Sequence, residues 1–103
     1  MPDAPDEIVY RHETYVPLVG STFDIERPDG DPVAVELVDA TVLAGRGECF
    51  SLVFCGPTEV SLEQRTYRMQ HRELGDFSLF LVPLGPRENG GLAFEAIINR
   101  LEP

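Results

Sequence analysis

Between residues 49 and 100 the chain reads as extended structure almost without interruption: CFSLVFCG, then TYRMQHRELGDFSLFLVPLGP, then LAFEAIINR. Each stretch is rich in aromatic and β-branched residues, and each break carries Gly or Pro, the pattern of strands joined by tight turns. Phe50, Leu52 and Phe54 alternate with Ser51, Val53 and Cys55, which gives one clear core face. Tyr67, Met69 and His71 alternate with Arg68, Gln70 and Arg72, and Glu73-Leu74-Gly75-Asp76 reverses the chain. In FSLFLVPL (77–84) the apolar residues are nearly continuous, so this strand is expected to be covered on both faces. Pro83 cannot donate to a ladder and predicts an edge or a bulge there. Leu92, Phe94, Ala96 and Ile98 form the inward set of the closing strand.

The first half is less regular. Residues 1–14 read as an acidic arm and 15–103 as a single β domain. Tyr15, Leu18 and Phe23 are the first apolar anchors, and Pro17 and Gly20 allow only a short helical turn before a strand with Phe23 and Ile25 inward. Pro28-Asp29-Gly30-Asp31 is a turn signal, because Pro presets φ and Gly accepts a positive one. Val33, Val35 and Leu37 then share a face; after Leu37 the parity blurs, predicting a bulge that lets Val42 or Leu43 rejoin the core. A helix over 33–43 is the rival reading. Residues 44–48 form a hairpin loop, and 57–65 a polar loop with room for a helical turn near Val60–Gln64. The sum is an all-β fold: a small five- or six-stranded antiparallel barrel or sandwich with a short N-terminal helical turn.

Charge narrows the partners. Eighteen acidic and eight basic residues give a net charge of -10, with Arg supplying every positive charge. A phosphate backbone or an anionic membrane surface would be repelled, so neither nucleic acid nor membrane is an expected partner. The start, MPDAPDE, is acidic and not basic-then-apolar, so no secretory signal is read there. Cys49 and Cys55 sit on one strand, separated by roughly 20 Å of extended chain, well beyond the ~7 Å that a disulfide spans. Reduced cysteines and the missing signal together point to a cytoplasmic protein.

The stretch CFSLVFCGP…TYRMQHRELGDFSLFLVPLGP…FEAIINR, together with Val19-Gly20 and Phe23 upstream, resembles a family of small bacterial all-β domains of unknown function. The resemblance spans residues 15–100 and departs at Arg65, where the family commonly has Gly before Thr-Tyr. Genes of that family often lie beside genes for phage-tail-collar-like proteins, which implies an accessory or assembly role and supplies no catalytic residue.

No nucleophile elbow, phosphate loop or zinc spacing is present, so no catalytic residue, cofactor or metal is assigned. Two function classes stay open. In the first, Val53, Phe80, Val82 and Ile97, which fall opposite the core parity, form an apolar face. Either the N-terminal segment covers that face, or a protein partner or second copy does, making the chain a non-enzymatic module that self-associates or docks on a larger bacterial complex. In the second, a small barrel enzyme or small-molecule binder uses a mouth site at Tyr67, His71 and Glu73. His12 is expected in solvent, and Glu95, Asn99 and Arg100 in a cross-strand polar cluster with Arg68 or Arg72.

Overall fold

The computed structural model describes residues 11–27, 30–57, 62–88 and 90–99. A helical turn α1 (His12–Tyr15) runs into a 3₁₀ turn (Val16–Leu18), followed by six strands: β1 (Thr22–Arg27), β2 (Gly30–Ala44), β3 (Cys49–Gly56), β4 (Arg65–His71), β5 (Gly75–Pro86) and β6 (Leu92–Asn99). All pairings are antiparallel, and the strands close into a barrel in the order β1-β2-β3-β6-β5-β4. Two three-stranded meanders, β1–β3 and β4–β6, are therefore joined edge to edge. One joint, β3 with β6, is an unbroken ladder from Cys49↔Asn99 to Gly56↔Leu92. The other, β1 with β4, has two pairs, Asp24↔Gln70 and Ile25↔Met69.

Strand periodicity decides what lies inside. Phe23, Ile25, Val33, Val35, Leu37, Phe50, Leu52, Phe54, Tyr67, Met69, Phe77, Leu79, Leu81, Phe94 and Ile98 are all buried in one cluster. Phe23 is the hub. Its ring lies 5.2 Å from that of Phe54, 6.1 Å from that of Phe77 and 6.4 Å from that of Tyr15. The helical segment plugs one end of the barrel through Tyr15, which is fully buried and 5.9 Å from the Phe50 ring, and through Leu18. Gly20 N–H donates to Leu37 O, and Leu37 N–H donates to Ser21 O, so the plug is tied to β2 as well as packed. No described helix is long and apolar enough to cross a membrane.

Several sequence expectations need correction. Residues 33–43 are strand, and the bulge after Leu37 is present between Leu37 and Asp39. It restores inward parity to Ala40 and Val42, which pair with Leu52 and Phe50, but β2 has by then reached the rim. Val42 and Leu43 stay exposed and only Ala40 is partly buried, so neither rejoins the core. His12 is not a solvent residue: its Nε2 lies 2.8 Å from Ala40 O, and its ring meets Phe50 edge-on at 5.7 Å. The β5 expectation of two covered faces also fails. Tyr15 and Leu18 fill the barrel end, so among the described residues nothing from the N-terminal segment covers Phe80. Pro83 does mark a register shift, between Pro83 and Gly85. Pro28, Asp29 and residues 58–61, where a turn and a helical turn were expected, lie outside the described residues, as does Arg100.

Since Phe23 touches both meanders and the plug, removing its ring should be felt throughout. Phe23→Ala is expected to cost about 3–5 kcal/mol, read as a lowered urea midpoint, a large part of the ~5–15 kcal/mol typical of a domain. Phe80→Ala, on the outer face, should cost well under half as much.

Candidate functional site

Outward parity on β3, β6 and β5 builds one continuous surface. Val53 pairs with Glu95, and Glu95 with Val82, so these three side chains form a row across three strands. Ser51 pairs with Ile97, and Thr66 of β4 with Phe80, in the next row. Phe80 is 48% and Ile97 58% exposed, large fractions for side chains of that size, while Val53 and Val82 are half-buried beside them. The four residues singled out by parity are thus brought to one face.

Between β5 and β6 that face is cleft. Their ladder runs from Pro86↔Leu92 to Val82↔Glu95 and stops, although both strands continue. Two residues further in the same register Phe80 would stand opposite Ile97; no such pair forms, and a groove of about 400 Å³ lies there. Its walls are Ser78–Phe80 on one side and Ala96–Asn99 on the other, with Thr66 behind Phe80. The side chains of Thr66 and Ser78 make no hydrogen bond among the described residues. Parity with Phe80 would have found Ser78; the loosening of the seam leaves no mark in the sequence.

The polar residues around the groove are arranged differently from the expected cluster. Glu95 Oε2 accepts a hydrogen bond from Ser51 Oγ at 2.7 Å, which explains how Ser51 can be buried on an outer face. Arg68 turns instead to Glu26 (3.5 Å) and Asp76 (3.3 Å). Both ion pairs are well exposed and each contributes little to stability.

Tyr67, His71 and Glu73 do not form one site. Tyr67 is buried and donates its hydroxyl to Glu63 O at 2.7 Å; burial pushes its pKa up, against the pull of the Arg65 guanidinium, 5.6 Å above the ring. Glu73 is exposed in the β4–β5 turn. His71 is buried with both ring nitrogens engaged. Glu73 N–H donates to Nδ1 at 3.0 Å, which leaves the proton on Nε2 to donate to Ser21 Oγ at 3.0 Å; Ser21 Oγ in turn donates to Leu18 O at 2.6 Å. The chain of bonds is saturated and fixes the neutral tautomer. Phe23 packs on the imidazole at 4.4 Å. His71 accordingly pins the plug and the start of β1 to the end of β4, beside the two-pair joint, and keeps no ring nitrogen for a ligand. Ser21, fifty positions upstream, had no signal in the sequence.

A second cleft, of about 370 Å³, is lined by Arg11, His12, Glu13, Arg46, Gly47 and Glu48. Its lining balances two Arg against two Glu: Arg11 pairs with Glu13 at 3.3 Å, and Glu48 accepts from the Arg46 backbone N–H. Cys49 and Cys55 are both free thiols. Among the described residues no group of three or more His, Cys, Asp or Glu side chains is placed to hold a metal.

The family model described as Domain of unknown function (DUF6916) matches residues 10–98, and the chain belongs to that family. Nothing among curated proteins or solved structures matches it.

The His71 linkage carries a pH dependence. Burial depresses its pKa, with Glu73 pulling upward and Arg72 downward. The unfolded chain takes up the proton near pH ~6.5 while the folded chain resists it, so this contribution is complete above ~6.5 and lost as pH falls from there. Urea midpoints should therefore drop between pH about 7.5 and about 5. His71→Gln, which cannot titrate, should flatten that slope, and Ser21→Ala should cost about 0.5–1.5 kcal/mol at neutral pH.

Proposed function

We propose that this DUF6916 domain is a non-enzymatic binding or assembly module that self-associates or docks on a larger bacterial protein complex through the outer face of β5 and β6. The observation that carries the reading is that Phe80 and Ile97, both about half exposed or more, line a groove where the barrel ladder has stopped. Large apolar side chains that gather on one face of a small domain, with Val53 and Val82 continuing them, are the composition of a docking patch. The opposite side of the same strands supports it from within. The barrel interior is taken up by Phe23, Phe54, Phe77 and Phe94, so the fold spends its core on packing.

No described feature favours the mouth-site reading over this one, because the imidazole on which it depends is already bonded at both nitrogens. The resemblance noted at the outset makes a phage-tail-like assembly the first complex to try. Charge supports protein over nucleic acid as the partner: a net of -10 disfavours phosphate backbones.

The test is a pair of charge substitutions on the exposed face. Phe80→Glu and Ile97→Glu, each with an unfolding midpoint close to that of the unaltered protein, should lose copies or co-purified native-host proteins by about tenfold or more, as central contacts do. A monomer by sedimentation whose co-purified proteins are untouched by either change would refute the reading.

A further inference from the structure

We infer that the β5–β6 groove receives an extended, basic peptide segment of another protein, one that carries a large apolar side chain between its cationic residues. The inference rests on the docking reading above and names its partner.

Shape is the first reason. The groove runs between two antiparallel strands, Ser78–Phe80 and Ala96–Asn99, at the level where they form no pair. Ser78–Phe80 are laddered to β4 and Ala96–Ile98 to β3, but β5 and β6 are not laddered to each other here, so an extended chain can approach the sides of these strands that face the groove. The unbonded hydroxyls of Thr66 and Ser78 add two groups that can donate or accept beside the apolar walls. A hydrophobic small molecule would use the walls of Phe80 and Ile97 but leave this polar edge unanswered. A volume of about 400 Å³ suits a few side chains of a peptide rather than a folded domain.

Charge is the second. The groove lining carries no ionised side chain, whereas its surroundings on the same face hold Asp76, Glu95 and Glu26 against Arg68. Arg68 already faces two of those three carboxylates, and with Arg65 counted the described rim still carries more carboxylates than guanidiniums, within a chain of net charge -10. Arg65, the other nearby cation, lies over the Tyr67 ring. A second copy is a poorer occupant on both counts. A two-fold contact through this face would set one groove against another and bring like carboxylates together, whereas a cationic segment is drawn in.

Two synthetic peptides of alternating pattern test this, one with Lys between Val and Phe and one with Glu in place of every Lys. Each is titrated into isotope-labelled protein and followed by backbone amide shifts. The Lys peptide should move the amides of Ser78–Phe80 and Ile97–Asn99, and the Glu peptide should move none of them. Raising salt from about 50 to about 300 mM should weaken the Lys peptide several-fold, since the charges are near the surface. Ile97→Asp should weaken it by about tenfold. Ser78→Lys, an exposed change that spares the apolar walls, should also weaken it while the unfolding midpoint stays put, which guards against a folding defect in the first variant. Equal binding of the Glu peptide, amide shifts centred elsewhere, or indifference to both variants would overturn the inference. A dimer that Ile97→Asp dissolves, in a chain that ignores both peptides, would sink the peptide while leaving the docking reading standing. A monomer that binds neither peptide, and whose co-purified proteins survive Ile97→Asp, would sink both.

Discussion

The structure depends on how its ring is closed. Five of the six joints between strands are ladders of at least four pairs, but β1 meets β4 through only Asp24↔Gln70 and Ile25↔Met69. Side chains make up the shortfall. Phe23, next along β1, packs on His71, next along β4, and His71 reaches past it to Ser21. The same ring of Phe23 touches Tyr15, Phe54 and Phe77, so the plug, both meanders and the weak joint converge on one aromatic. Without it the β1–β4 joint would be left with its two pairs and the His71–Ser21 bond.

The two sides of the barrel wall divide the work. Among the described residues inward positions are apolar almost without exception, and the imidazole that stands among them, His71, is compensated at both nitrogens. Outward positions hold the polar residues, together with a few large apolar ones that cost the fold exposure and contribute little to its packing. The second loose place in the ring, where β5 and β6 part beyond Val82 and Glu95, falls among those apolar residues. A strong joint there would have buried their backbone edges. The parting instead opens a groove where Phe80 and Ile97 stand.

Much of this was legible from alternation. The inward sets 33/35/37, 50/52/54, 67/69/71 and 94/96/98 are fixed by period two, and the same parity put Val53, Phe80, Val82 and Ile97 on the outside. The bulge after Leu37 was visible because Val38 breaks the pattern, but where β2 leaves the barrel was not, so the expectation that Val42 or Leu43 rejoins the core fails. Continuous apolar sequence in β5 suggested two covered faces, since hydrophobicity alone does not reveal whether a cover exists. Contacts made across the barrel were out of reach. His12 against Ala40, His71 against Ser21 and Glu95 against Ser51 join positions 28, 50 and 44 apart, and no local spacing encodes them.

The arrangement as two meanders sets the order of assembly. β1–β3 and β4–β6 are each built from neighbours in sequence, with short hairpins whose reversals need little chain entropy. Both joints between them bring together residues 36 to 50 positions apart, and neither ladder gains anything until its two edges exist. The slow event on the way to the native barrel is then the docking of two preformed sheets, with the continuous β3–β6 zipper leading and the two-pair β1–β4 contact closing last.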